Sequence, residues 1–152
     1  MKIVKNTLAL IVLFSFIGCA SSRDVATTRN LTGKWKITDI RVDIPADYRV
    51  INVFDEAPYQ DFKESTWDLV RNGNGSFNLA NGKSESIYWS INGKGSDAVF
   101  QFKKLHGEKA KNVTEGYRLS IASVSENQFT LVSPVLLDDG TSRNITYIFT
   151  RQ

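Results

Sequence analysis

The chain has 152 residues and a net charge of +3, from 19 basic and 16 acidic side chains, with one cysteine and one histidine. That length suits one domain with a sizeable core, and the near balance of charge excludes the broad basic face that a nucleic-acid partner requires. A single cysteine excludes an internal disulfide, and a single histidine leaves no partner for a histidine-based metal or catalytic site.

Residues 1–18 have the order of a secretion signal. Lys2 and Lys5 come first, then the apolar run from Leu8 to Ile17, then the small residue Gly18. The apolar run is well short of the ~20 residues that a membrane-spanning helix needs. The next residue is the lone cysteine, and Phe16-Ile17-Gly18-Cys19 resembles a bacterial lipobox, with Phe16 where leucine is commonest. The resemblance implies a diacylglycerol on the Cys19 thiol and cleavage before it, so that Cys19 becomes the acylated N-terminus. Two or three acyl chains, at ~0.8 kcal/mol per buried methylene, hold firmly to a membrane. Neither Ala20 nor Ser21 is acidic, which by resemblance to other bacterial lipoproteins implies the outer membrane rather than the inner. Residues 19–30 are small and polar and read as a tether. Without Lys2 and Lys5 the chain keeps 17 basic and 16 acidic side chains, close to neutrality.

Beyond Asn30 the apolar residues alternate with polar ones, the period of half-buried strands. Leu31, Gly33, Trp35 and Ile37 share a face, and the apolar phase then shifts to Ile40, Val42 and Ile44. A strand of period two cannot change face without an irregularity, so a bulge is expected near Asp39. Further strands are predicted around Trp67-Leu69, Phe77-Leu79, Ile87-Trp89-Ile91, Phe100-Phe102, Tyr117-Leu119-Ile121, Phe129-Leu131 and Ile145-Tyr147-Phe149. Between them lie Asn72-Gly73-Asn74-Gly75, Asn81-Gly82, Asn92-Gly93-Lys94-Gly95 and Asp138-Asp139-Gly140, with the chemistry of tight hairpin turns. Eight or nine sequential antiparallel strands with one apolar face each predict an up-and-down β-barrel, which leaves no open edge.

Two connections are longer. Residues 45–64 carry Tyr48, Phe54, Tyr59 and Phe62, with a strand-like piece from Tyr48 to Phe54 and a helical turn expected between Pro58 and Lys63. So many aromatics read either as a flap packed on the barrel or as a lid over a hydrophobic cavity. Residues 103–112 hold four lysines and His106, which reads as a solvated basic loop.

Leu31-Thr32-Gly33-Lys34-Trp35-Lys36-Ile37 resembles the Gly-x-Trp opening strand of the lipocalins and of Bacteroidetes lipocalin-like lipoproteins. The stretch from Ser65 to Phe77, the strand Tyr88-Trp89-Ser90-Ile91 and the ending from Ile145 to Arg151 fit the same pattern. The resemblance runs from Leu31 to Arg151 and implies an all-β, antiparallel lipocalin-like barrel domain over residues 31–152. It also implies that Gly33 and Trp35 close one end of the barrel, with Arg151 over the indole as a cation–π cap.

Enzyme chemistry finds no foothold. There is no Gly-x-Ser-x-Gly elbow and no His-Glu-x-x-His. Gly73-x-Gly75 and Gly93-x-Gly95 lack the strand-to-helix setting of a phosphate loop, and Asp138-Asp139-Gly140 reads as a turn before it reads as a metal loop. No catalytic residue, metal or cofactor is expected. Two functions stay open. In one, the membrane-anchored barrel binds a small hydrophobic ligand lined by Trp89, Phe100, Phe102 and Tyr147. In the other the barrel is filled, and the protein is a structural or protein-interaction lipoprotein of the cell envelope.

Overall fold

A computed structural model describes residues 26–48, 52–137 and 139–152. The signal segment, Cys19, most of the tether and Asp138 lie outside the described residues. Within them the chain forms eight antiparallel strands in sequence order, closed into a barrel: β1 Gly33–Asp43, β2 Thr66–Leu69, β3 Asn74–Asn78, β4 Ser84–Asn92, β5 Val99–Lys104, β6 Tyr117–Val124, β7 Gln128–Leu136 and β8 Ser142–Arg151. Two one-turn helices accompany them, α1 at Thr28–Leu31 and α2 at Tyr59–Phe62. This is the up-and-down closure that the alternating pattern predicts.

Every strand expected from the pattern is present, and the inward positions are apolar except Lys104 at the end of β5. The β1 bulge falls where the phase shift puts it. Ile37 pairs with Phe149 and Asp39 with Ile148, so Thr38 is the extra residue. A second bulge, unexpected from the sequence, leaves Ala122 unpaired between Ile121 and Ser123 in β6. The strand-like piece before Phe54 reduces to one antiparallel bridge, Val53 to Ala57.

The end of the expected tether is built into the fold. The Thr27 hydroxyl accepts from the Asn30 backbone N–H and caps α1, Leu31 is fully buried, and Ala26 packs against the core. The four-residue turn persists because Trp35 Nε1 donates to the Leu31 carbonyl at 2.9 Å, using an orphan acceptor of the helix end.

That indole seals the barrel's lower end. Trp35 is fully buried, lies edge-on to Phe129 at 4.6 Å, and has the Arg151 guanidinium carbon 4.1 Å above its ring. Trp35 and Arg151 are direct register partners between β1 and β8. Arg151 does more than stack. Its Nε donates to the Glu126 carbonyl (2.8 Å), Nη1 to Thr32 and Nη2 to Asn30 (both 3.2 Å), so one side chain ties α1, β1 and the β6–β7 turn together. Gly33 is required beneath it. Its φ is +136°, and a Cβ there would collide with Arg151 Nη1.

Trp35→Ala is expected to cost about 4 kcal/mol of folding stability and Arg151→Ala about 2 kcal/mol, because three charge-assisted bonds to carbonyls go with it. Those bonds do not need the indole, so the double mutant should show a coupling of only about 1 kcal/mol, the cation–π share. Urea denaturation of the three variants measures it. A coupling near zero would mean that the ring and the guanidinium contribute independently.

Candidate functional site

The strand ends opposite Trp35 form the barrel's other mouth, and the β1–β2 connection lies across it. Its tip is a tight hairpin. Val53 N–H donates to Ala57 (2.9 Å) and Glu56 N–H to Val53 (3.1 Å), while Phe54 and Asp55 have φ of 55° and 46°. Two successive positive φ values define a type I′ turn, which glycine and asparagine suit and phenylalanine does not.

This turn aims Phe54 into the mouth. Its ring contacts Phe62, Phe102, Tyr117 and Tyr147 at centroid distances of 5.3, 5.1, 5.4 and 5.5 Å. The Pro58 to Lys63 turn forms α2 as expected and supplies the buried Phe62 from above. The position expected for a cavity beneath residues 45–64 is thus taken by the segment's own phenylalanine. Free space lies to the side instead, a cleft of about 320 Å³ bounded by Asn52, Val53 and Phe54, by Gly116–Arg118 and by Ser133–Val135. It opens there because the β6–β7 pairing stops at Ser120 and Val132 while both strands run on.

Charge holds the hairpin down. Lys104, the inward-facing last residue of β5, is 7% exposed. Its Nζ donates to the Asp55 carbonyl (3.0 Å) and to Glu56 Oε2 (2.8 Å). Lys83 Nζ lies 2.5 Å from Glu56 Oε1, an ionic contact from the solvent side. Tyr117 donates its hydroxyl to Asp55 Oδ2 at 3.1 Å. Burial by itself would raise the Glu56 carboxyl, but the ammonium groups of Lys104 and Lys83 outweigh it and hold the group below its ordinary 4.5. Burial, then the Asp55 carboxylate, pushes the Tyr117 phenol up. This latch was not visible in the sequence reading, which put Lys104 in a solvated loop.

The four residues expected to line a ligand site all point inward and are almost wholly buried. Trp89, Phe100 and Phe102 form a continuous wall, with Phe100 and Phe102 at 6.1 Å and Trp89 paired with Phe102, but the four differ in what they face. Trp89 stacks on Phe100 (5.8 Å) beside the β2–β3 turn, and its Nε1 donates to the carbonyls of Val70 (3.0 Å) and Asn74 (3.1 Å). Its polar atom is spent on the backbone, which is a packing role. Phe102 and Tyr147 lie under Phe54. The Tyr147 hydroxyl is buried with no hydrogen-bond partner among the described residues, and burial raises its phenol. His106 is exposed to solvent, as expected, and has one carboxylate neighbour. Its Nδ1 sits 3.1 Å from Glu85 Oε2 at the surface. No cluster of three metal-ligating side chains occurs among the described residues.

No protein-family model matches the chain, and no curated protein matches it. Among solved structures, the barrel is similar to a lipocalin-like protein from Bacteroides uniformis, with 14% identity and a TM-score of 0.44 over 81% of this chain and 99% of that one. It is also similar to the bovine odorant-binding protein in complex with a selenium-containing odorant, with 13% identity and a TM-score of 0.45 over 84% of this chain and 73% of that one.

Glu56→Gln leaves Lys104 buried without a counter-charge and is expected to cost about 3 kcal/mol. Because the folded Glu56 titrates below its unfolded value, its contribution is full above pH ~4.5 and is lost as pH falls through the lower folded value. Hydrogen exchange should show faster exchange of the Val53 and Glu56 amides in the variant at neutral pH, and in the wild type only on acidification. Equal protection in both proteins at pH 7 would show that the ion pairs do not hold the hairpin.

Proposed function

We propose that the protein is a lipid-anchored, lipocalin-like lipoprotein of the cell envelope that binds one small hydrophobic ligand, not an enzyme. Its ligand sits at the open mouth, in the place that Phe54 fills in the closed state. The observation that carries this reading is Phe54 itself. A bulky ring is held at a left-handed backbone position, among four aromatic side chains, next to a buried phenol that lacks a partner. A non-glycine residue at positive φ costs roughly 1–2 kcal/mol, and an unmatched buried hydroxyl costs about 1–3 kcal/mol. Both are relieved if the hairpin lifts and a ligand bearing one hydrogen-bonding oxygen takes the ring's place. The lining is then Phe102 and Tyr147, with Phe62 and Tyr117 at the rim, while Trp89 and Phe100 stay in the packed lower half.

Stacked rings such as Phe129 on Phe149, at 4.4 Å, favour the second reading, a filled barrel that acts through its surface as a structural or protein-interaction lipoprotein. N-phenyl-1-naphthylamine, a small apolar fluorophore, separates the two. Phe54→Ala should bind it about tenfold more tightly than the wild type, since the variant no longer has to displace its own ring. Failure of both proteins to bind would support the filled barrel.

The anchor is proposed from Phe16-Ile17-Gly18-Cys19, and the outer membrane from the absence of an acidic residue directly after Cys19. A clickable palmitate analogue fed to expressing cells should label the wild type and not Cys19→Ser. Equal labelling of the two would remove the anchor and with it the membrane location.

A further inference from the structure

The outer wall of the barrel carries a second groove, of about 640 Å³, across β4, β5 and β6. Two rows of outward side chains form its floor. In one, Tyr88 is paired with Lys103, and the bare backbone of Gly116, just before β6, lies beyond it. In the other, Ser90 pairs with Gln101, and Gln101 with Arg118. The β5–β6 loop forms its rim with Ala110, Lys111 and Thr114, pinned by Lys103 Nζ, which donates to the Val113 carbonyl at 2.8 Å.

The ring of Tyr88 is preorganised. A Cβ at Gly73, whose φ is +90°, would meet Tyr88 Cε2 at 2.7 Å, so the bare glycine lets the phenol lie flat against the β2–β3 turn. Tyr88 is nonetheless 38% exposed, one of two large hydrophobic residues so exposed among the described residues. Gln101 Oε1 accepts from Asn92 Nδ2 (2.8 Å), which fixes the amide and leaves its N–H donors to the groove. Lys111 and Arg118 make no hydrogen bond or ion pair among the described residues, and no carboxylate lines the groove.

A fixed aromatic face, hydroxyl and amide groups beside it, and two cationic side chains without a partner among the described residues suit a ligand with a C–H-rich ring face, many hydroxyls and a negative charge. We propose that this groove binds a short acidic oligosaccharide. One sugar ring stacks on Tyr88, its hydroxyls meet Ser90 and Gln101, and its carboxylate meets Arg118 and Lys111. The volume lies within the ~300–1,000 Å³ of small-molecule sites. A nucleic acid is disfavoured, since the chain outside the signal segment is nearly neutral and the groove offers one stacking ring.

The groove borders the mouth, with Phe102 and Tyr117 common to both, but Tyr88, Ser90 and Gln101 lie outside the cleft beside Phe54, so Phe54→Ala separates the two sites. Isothermal titration calorimetry with trigalacturonate, and with its carboxyl-reduced neutral counterpart, reads the proposal directly. The acidic trimer should bind the wild type and Phe54→Ala equally. The neutral trimer, Tyr88→Ala and Arg118→Ala should each weaken binding by about tenfold. Since both substitutions lie on the exposed face, circular dichroism should show the fold unchanged. Amide shift perturbations in the unsubstituted protein should centre on Tyr88, Gln101 and Arg118, which tests the site without any variant. Absence of binding to the acidic trimer, perturbations elsewhere, or equal binding by a single-stranded oligonucleotide would overturn the proposal.

Discussion

Arg151 over Trp35 is the contact on which the rest of the barrel depends, because a closed sheet exists only if its first and last strands meet in register. A hydrogen-bond ladder alone leaves that register free to slip by two residues with the same faces still buried. The indole and guanidinium remove the freedom. Trp35 bonds back to the Leu31 carbonyl, and Arg151 reaches forward to Thr32 and Asn30 and sideways to Glu126. A slip of β1 along β8 would break the Arg151 bonds to Thr32 and Asn30 and carry the guanidinium off the ring. The bulge at Thr38 follows from the same constraint. With Trp35 fixed at the bottom, one extra residue bends β1 and returns Ile40 and Val42 to the inside as partners of Tyr147 and Ile145.

The two ends of the barrel are closed by different chemistry, and the difference has a consequence for motion. At the lower end the cap is an aromatic ring fully out of water, with a charged group whose every donor nitrogen is used. At the upper end the cap is a tight turn of strained residues held by ammonium groups. One of these, Lys83, is half exposed and so partly screened. Local opening draws on the least stable segments. Residues 53–57 are held by a charge latch and ring contacts around a positive-φ phenylalanine, so lifting them would leave the strand ladder intact.

Much of this was legible in the sequence, and what was not has identifiable reasons. Alternation exposed all eight strands, since each buries one face and period two is then unavoidable. The lipocalin resemblance implied that Gly33, Trp35 and Arg151 meet at one end, and a closed meander, in which β1 and β8 are neighbours, allows it. The second bulge left a mark that alternation also carries: the apolar inward positions run Leu119, the half-buried Ile121, then Val124, a change of phase like that in β1. The latch hid behind composition. Lys104 stands among four lysines within ten residues and so looked solvated, yet it is in phase with Phe100 and Phe102, and phase decides which way a strand residue points. That Glu56 would meet it could not be read, because the pair joins positions 48 apart through a turn with no glycine or asparagine to announce it. Nor could the contact of Gly73 with Tyr88 be read, since it depends on how the β2–β3 turn folds over β4.

Lys103 and Lys104 show how one strand end serves both faces of the wall. They are adjacent in the chain, so the pleat sends their side chains to opposite sides of the sheet. Lys104 turns inward, where a bare ammonium is tolerated only because the Glu56 carboxylate and the Asp55 carbonyl surround it. Lys103 turns outward and spends its charge on the carbonyl of Val113, which fixes the loop that borders the outer groove. Exchanging either lysine for a neutral residue therefore has a local effect on one face. Inserting or deleting a residue in β5 would exchange the two faces, placing Gln101 and Lys103 in the core and the rings of Phe100 and Phe102 in water. The period of the strand, more than the identity of any one side chain, decides which of these lysines faces the mouth and which the outer groove.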